Sequence, residues 1–124
     1  MAKGNKVTII GLDDLDKGLD KSEKQIMTAT RDTVEESLKL VRDSAKDNAP
    51  VDSGKMRDGI GMEVDDDGLN GTVGQFDPDV YYSEFVEFGT SKQPAQPFMA
   101  PAAEDARQKI PGMFRSNIGK AVES

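Results

Sequence analysis

Hydrophobic residues recur every three or four positions in two stretches of the chain, which is the spacing of an amphipathic α-helix. The first stretch predicts a helical region over residues 12–49, with Gly18 as the expected break between a short and a long helix. Pro50 follows, and proline biases the residue before it away from helical angles, so the region should end just before it. The second stretch predicts a C-terminal helix over residues 98–122, with a kink or restart at Pro111.

Alternation of apolar and polar positions predicts strands outside these helices. Residues 1–11 contain one short apolar run and are expected to form a strand or an extended arm. Residues 60–64 alternate, an Asp-Gly pair supplies a tight turn, and residues 69–75 return as the second strand of an antiparallel hairpin. Residues 80–88 carry apolar or aromatic side chains on both faces. We interpret them as a strand buried on both sides, a pattern that a short helix also fits.

Together these elements predict a single α+β domain over residues 1–124. Its long N-terminal amphipathic helix packs on a small antiparallel sheet within residues 56–88. An exposed loop at residues 89–97 follows, and then the C-terminal helix. Only 35% of the residues are hydrophobic, and there is no Trp. Because a core this thin offsets the ordering entropy poorly, we expect partner subunits to complete it.

Charge is distributed unevenly along the chain, whose net charge is −7. Residues 49–91 carry ten acidic and two basic residues, whereas residues 92–124 carry five basic and three acidic ones. An acidic field opposes phosphate binding, so specific binding of nucleic acid is not expected. Because the acidic and the basic parts of the chain are complementary in charge, they suit head-to-tail contacts between subunits. The chain has no membrane-spanning run and is expected to be soluble and cytosolic.

The sequence contains neither Cys nor His. Disulfides, thiolate metal sites and a cysteine nucleophile are therefore excluded, and the commonest general base is absent. Asp65, Asp66 and Asp67 lack the spacing of a calcium-binding loop and fit a solvated hairpin tip. Glu84 and Glu87 would point to opposite faces of a strand, so they cannot pair as catalytic acids. We expect no catalytic residue, metal, cofactor or small-molecule substrate.

One motif keeps an enzymatic alternative open. Asp52-Ser53-Gly54 resembles the catalytic tripeptide of retroviral-type aspartic proteases, which are homodimers of similar length that share two Asp carboxylates. In those proteins the motif lies in an almost all-strand chain and a small residue follows the Gly. Here a long predicted helix precedes the motif and Lys55 follows it. A turn or a helix cap explains the tripeptide equally well.

Three stretches, taken in order, carry a resemblance to a known family. They are residues 48–60 (NAPVDSGKMRDGI), residues 82–90 (YSEFVEFGT) and residues 94–102 (PAQPFMAPA). Together they resemble the small neck or tail-completion proteins of long-tailed bacteriophages and related prophages. This is a family of minor tail components encoded between the head-closure and major tail genes. The combination of Glu-Phe-Gly-Thr with Gln-Pro-Phe is the most specific part of the resemblance.

The resemblance implies a subunit of a ring-shaped joint between capsid and tail, or one that completes the head-proximal end of the tail, with no catalytic role. Its partners would be other neck and tail subunits and further copies of itself, and DNA would pass through without specific binding. Its location would be the virion, and the host cytoplasm during assembly. Two alternatives remain: a homodimeric aspartic peptidase that uses Asp52, and an acidic interaction module that forms no ring.

Candidate contact residues cluster between the sheet and the C-terminal helix. Glu87 is expected to accept backbone N–H bonds where the chain enters the loop, and the alternative is an exposed strand carboxylate. The aromatic run and the Pro-bearing loop are expected to contact neighbouring subunits. Besides Glu87, the assembly candidates are Tyr81, Tyr82, Phe85, Phe88, Gly89, Thr90, Pro97 and Phe98.

Overall fold

A long helix lies against a small antiparallel sheet, and a second long helix packs beside it, which confirms the predicted α+β class. The computed structural model describes residues 6–10, 21–50 and 54–123. The elements in these residues are, in chain order, β1 (Val7–Ile10), α1 (Lys21–Asn48), α2 (Lys55–Asp58), β2 (Ile60–Val64), β3 (Asn70–Gln75), α3 (Ser83–Phe88) and α4 (Met99–Glu123).

Helix α1 is amphipathic, with apolar and small residues at three- and four-residue intervals on the side that faces the rest of the protein. Charged residues lie on the other side, where Glu35 and Lys39 form an exposed ion pair of 3.4 Å. The helix ends at Asn48, just before Pro50, as predicted. Its buried stripe comprises Met27, Thr30, Thr33, Val34, Ser37, Leu38, Val41 and Ala45.

The three strands form an antiparallel sheet in the order β1-β3-β2, which confirms the predicted hairpin of β2 and β3. Facing residues of an antiparallel pair share one side of the sheet, so Val7, Met62 and Val73 lie on the same face. That face belongs to the hydrophobic core, in which Val73 is fully buried. The opposite face carries Thr8 and Thr72, whose hydroxyl oxygens are 3.2 Å apart.

The hairpin turn has the geometry expected of its Asp-Gly pair. Gly68 has a φ of 75°, in the left-handed region that side chains disfavour. The Asp65 carbonyl accepts the Gly68 N–H at 2.9 Å, and the Asp67 carboxylate accepts the Leu69 N–H at 2.8 Å. Arg31 of α1 donates to the Asp67 carbonyl at 2.8 Å, so the acidic tip is attached to the long helix.

Helix α4 runs antiparallel to α1, as two side-chain contacts show. The Asn48 amide at the end of α1 donates to the Phe98 carbonyl, just before α4, at 3.3 Å. Toward the other end of α4, the Asn117 amide donates to the Thr33 hydroxyl of α1 at 2.9 Å. The start of α4 is therefore held beside the end of α1.

Helix α4 continues through Pro111, so the predicted restart there is wrong. A proline inside a helix removes one hydrogen bond and costs about 3 kcal/mol. Here the proline is exposed, while Ile110 and Phe114 on either side of it pack against the core. Apolar packing on the buried side of the helix therefore maintains it across the proline.

Residues 1–11 are expected to form a strand or an extended arm, and the structure has strand β1 in their last four described residues. The predicted start of the first helical region at residue 12 and its break at Gly18 lie outside the described residues. Both stay predictions, as does the organisation of residues 1–124 as a single domain.

Gly71 lies where α1 contacts the sheet. A Cβ at this position would overlap the Leu38 side chain and come within 2.8 Å of the Glu63 carbonyl oxygen. Because protein cores are close-packed, we predict that Gly71→Ala lowers the free energy of unfolding by about 1–3 kcal/mol. Urea denaturation followed by circular dichroism measures this change.

Gly119→Ala is the matched control, because no atom lies within 4 Å of the added Cβ and the residue is inside α4. Alanine favours a helix over glycine by about 0.5–1 kcal/mol, so this variant should be more stable than the wild type. Wild-type stability of Gly71→Ala would contradict the close contact between α1 and β3.

Candidate functional site

Residues 83–88 form helix α3, so the strand predicted over residues 80–88 is wrong. The Tyr82 carbonyl accepts the N–H groups of Phe85 and Val86 at 3.0 and 3.2 Å, which begins the helical turn. The run carries apolar side chains on two sides, and both a doubly buried strand and a two-sided short helix fit that pattern. In a helix, residues four apart share a side, and this spacing decides which side chains are exposed.

Helix α3, together with Tyr81 and Tyr82 just before it, has one buried and one exposed side. Ser83 and Glu87, four residues apart, are 4% and 3% exposed. Three aromatic side chains on the opposite side are between 57% and 80% exposed. A cluster of exposed apolar side chains of this kind is typical of an interaction surface. We call this surface the aromatic face, and it comprises Tyr81, Glu84, Phe85 and Phe88.

The buried carboxylate of Glu87 accepts three backbone hydrogen bonds at the start of α4. Oε1 accepts the N–H of Phe98 at 3.2 Å and that of Met99 at 2.9 Å, and Oε2 accepts the N–H of Ala100 at 3.1 Å. The partial positive charge at a helix N-terminus further favours a carboxylate there. The alternative of an exposed strand carboxylate is wrong, and the donors belong to α4 rather than to the Gly89 turn. We call these three bonds the Glu87 cap.

The Glu87 cap provides an acceptor for every backbone N–H group in the first turn of α4. The first four N–H groups of an α-helix have no partner within the helix. Glu87 accepts three of them, and the fourth position is Pro101, which has no N–H. The cap therefore joins α3 to α4 and leaves no unsatisfied donor at that end of the helix.

Phe98 and Gly89 complete the junction of α3 and α4. The Phe98 side chain is fully buried and belongs to the hydrophobic core of the subunit, so it is not part of the exposed surface. Gly89 ends α3 with a φ of 78°, and its N–H donates to the Phe85 carbonyl at 2.8 Å. A Cβ on Gly89 would lie 2.7 Å from the backbone nitrogen of Ala95, so the close approach of the loop also requires glycine.

Residues 90–97 are exposed, as predicted for this loop, and hydrogen bonds organise its path. The Thr90 hydroxyl accepts two backbone N–H groups of the loop, at 3.1 and 3.2 Å. The Gln96 N–H donates to the Val86 carbonyl of α3 at 2.8 Å. Thr90 therefore shapes the loop, and Pro97 lies exposed at its end.

A groove of about 350 Å³ lies between the loop, α3 and the segment around α2. Phe85 lines this groove and also belongs to the aromatic face, so the two surfaces are continuous. The half-buried Tyr82 lines it too, and its ring meets that of Tyr81 edge to face with centroids 5.8 Å apart. The groove is lined by Pro50, Gly54, Met56, Tyr82, Phe85, Val86, Gln93, Pro94 and Gln96.

The structure brings the sequence candidates together around the junction of α3 and α4, and separates them into two groups. Tyr81, Phe85 and Phe88 are exposed, whereas Glu87 and Phe98 are buried and hold the junction. Sequence reasoning missed the backbone of α4 as the partner of Glu87. The signal was Pro101, because a proline in the first turn of a helix removes no hydrogen bond within the helix and so marks where the helix starts.

The other motifs lie away from this site. Asp52 and Ser53 are outside the described residues, whereas Gly54 of the same tripeptide precedes α2 with a φ of 80°. The acidic hairpin tip around Asp66 is exposed. Within residues 6–10, 21–50 and 54–123, no group of three or more acidic side chains is arranged to hold a metal ion. In the same part of the chain, no helix is both long enough and apolar enough to span a bilayer.

Comparison with known proteins gives one family match. A family model described as "Bacteriophage HK97-gp10, putative tail-component" matches residues 13–89. No curated protein and no solved structure matches the chain. The matched range covers more than half of the 124 residues, and it contains α1, the hairpin and α3 with Glu87.

Replacing Glu87 with glutamine tests the cap. The glutamine amide would place an NH₂ group against one of the backbone N–H donors and would remove the negative charge at the helix N-terminus. We predict that Glu87→Gln lowers the free energy of unfolding by about 1–3 kcal/mol, the cost of leaving a buried donor without an acceptor. Denaturation in urea measures the change, and near-ultraviolet circular dichroism shows whether the aromatic side chains keep their packing.

Glu84→Gln is the matched control, because Glu84 lies on the same short helix but is exposed. Its unfolding free energy should stay within about 0.5 kcal/mol of the wild type. Equal stability of the two variants would show that the cap contributes little.

Proposed function

Because the chain belongs to the HK97-gp10-like family of bacteriophage tail components, we propose that it forms a ring at the head-tail junction or at the head-proximal end of the tail. A tail component is part of the virion, and its partners are other phage structural proteins. The proposal adds the position in the particle, a ring of identical copies, and assembly in the host cytoplasm.

The aromatic face is the observation that supports this role most directly. Its three rings are between 57% and 80% exposed, although the Glu87 cap and Ser83 hold the opposite side of α3 in the core. Aromatic residues are enriched in the buried centres of protein interfaces, where they contribute much of the binding energy. A neighbouring subunit that covers this face would bury apolar surface that the single chain leaves in water.

The charge pattern is consistent with a ring around DNA. Residues 58–91 contain acidic residues and no basic ones, and the acids of the hairpin tip are exposed. Such a surface repels phosphates, so an acidic channel lining would let DNA pass without binding it. The acidic residues in this range are Asp58, Glu63, Asp65, Asp66, Asp67, Asp77, Asp79, Glu84 and Glu87.

The proposed ring and the two alternatives differ in what each requires of the chain. An aspartic peptidase would need Asp52 from each of two chains at a shared axis, and Asp52→Asn would abolish its activity. An acidic interaction module would need no contact between copies. The proposed ring requires contacts between copies and no catalytic group. The family match supports a structural tail component over a peptidase, and the exposed aromatic face supports contacts between copies.

Deleting the coding sequence from the phage or prophage that carries it tests the proposed position. We expect electron micrographs to show filled heads that are not joined to tails, or tails with an unfinished head-proximal end. The chain supplied from a plasmid should restore infectious particles and be present in them in several copies. Normal particles without the chain would overturn the proposal, and so would a chain that is present at the far tip of the tail.

Polar substitutions on the aromatic face should separate assembly from folding. We predict that Phe85→Ser combined with Phe88→Ser reduces the restoration of infectious particles at least tenfold. The stability of the subunit should change by no more than about 0.5 kcal/mol per site, because both side chains are exposed. Plaque titre and urea denaturation measure the two quantities on the same variant.

Val64→Ser is the control, because Val64 is an apolar residue that is also exposed, at 43%, but lies on the sheet. It should restore particles as well as the wild type does. A normal titre for the double Phe variant would rule out the aromatic face as an assembly contact.

A further inference from the structure

We propose that the aromatic face binds the C-terminal half of α4 in a second copy of this chain, so that neighbouring subunits join head to tail. The inference rests on the proposed ring and identifies the surface that the second copy supplies. Three features support it: apolar side chains on both surfaces, opposite charges, and the placement of the two surfaces at opposite ends of one helix.

The C-terminal half of α4 carries a row of side chains along one side. Residues four, seven and eleven positions after Pro111 fall on the same flank of the helix as Pro111 itself. Val122 in this row is 63% exposed, Arg115 is exposed, and Ile118 is half-buried. We call this surface the basic row, and it comprises Pro111, Arg115, Ile118 and Val122.

The aromatic face also combines apolar side chains with one charge, and this charge has the opposite sign. Tyr81 lies just before α3, Phe85 and Phe88 lie on α3, and Glu84 is the charged residue among them. Each surface therefore carries apolar side chains and a single charged side chain near its middle. Packing one surface against the other would bury both sets of apolar side chains and bring Glu84 close to Arg115.

The wider charge distribution favours the same pairing. Residues 58–91 contain no basic residue, whereas residues 107–123 contain four basic residues, Arg107, Lys109, Arg115 and Lys120, and one acidic residue, Glu123. Two aromatic faces brought together would instead place like charges side by side, and like-charge contacts at an interface are strongly unfavourable. A contact between different surfaces of two copies is therefore favoured over a symmetric one.

The two surfaces lie at opposite ends of α4. The Glu87 cap fixes α3, and with it the aromatic face, at the first turn of the helix. At about 1.5 Å per residue, the basic row starts about 18 Å further along and continues toward the far end of the helix. A contact between unlike surfaces repeats from copy to copy and forms a closed ring when the rotation between copies closes.

Charge reversal tests the pairing. Glu84→Arg and Arg115→Glu should each reduce the fraction of assembled protein at least tenfold, because each places like charges at the contact. The double variant restores opposite charges in exchanged positions and should recover most of the loss. Sedimentation velocity on the purified chain and plaque titre in the complemented deletion phage measure assembly, and urea denaturation checks that each variant is folded.

Cross-linking provides a second readout, because the chain has no native cysteine. Glu84→Cys and Arg115→Cys are single substitutions at exposed positions near the middle of each surface. Under mild oxidation, a mixture of the two variants should give a disulfide-linked dimer, whereas neither variant should do so alone. Asp47→Cys, at an exposed position on α1, replaces either member of the pair as the control and should give no dimer.

The outcomes distinguish this inference from the proposed function. Particles that contain the chain, with no cross-link in the mixture and no effect of either charge reversal, would overturn the inference and leave the head-tail role intact. A dimer from Glu84→Cys alone would also overturn it, because that product requires a symmetric contact. The predicted cross-link in a chain that phage particles do not need would support the contact between copies and overturn the proposed role.

Discussion

The organisation of this subunit depends on the Glu87 cap. A single buried carboxylate accepts the three free N–H groups at the start of α4, and Pro101 removes the need for a fourth acceptor. Without an acceptor, the buried N–H groups of Phe98 and Met99 would each cost about 1–3 kcal/mol. The cap therefore does more than satisfy a helix end: it determines where α3 lies, and so which of its side chains are exposed.

This constraint links the fold to the proposed role. Because Glu87 and Ser83 point inward, the aromatic side chains of α3 point outward, and Phe85 also lines the groove that the loop forms. The basic row lies toward the other end of α4. The antiparallel contacts between α4 and α1 hold α4 in place. A subunit with unlike surfaces at its two ends is suited to contacts that repeat around a ring.

Regular periodicity allowed much of the fold to be predicted. The stripe from Val34 to Ala45 identified α1, and the Asp-Gly turn before Leu69 identified the hairpin. The strand predicted over residues 80–88 is wrong because so short a run fits both the period of a strand and the period of a helix. A tertiary contact decides between the two. That contact joins Glu87 to backbone groups about eleven residues further along the chain, which no local pattern specifies. The restart predicted at Pro111 is wrong for a related reason: packing by Ile110 and Phe114 outweighs the cost of a proline in the helix.

The most direct test of the central claim, that the exposed side of α3 is a contact between copies, is an electron cryomicroscopy reconstruction of the head-tail junction of particles that contain this chain. We predict a ring of identical copies in which Tyr81, Phe85 and Phe88 of each copy are buried against the next, with the Glu87 cap intact. A reconstruction in which these three side chains face solvent, or in which the chain occurs as a single copy, would contradict that claim.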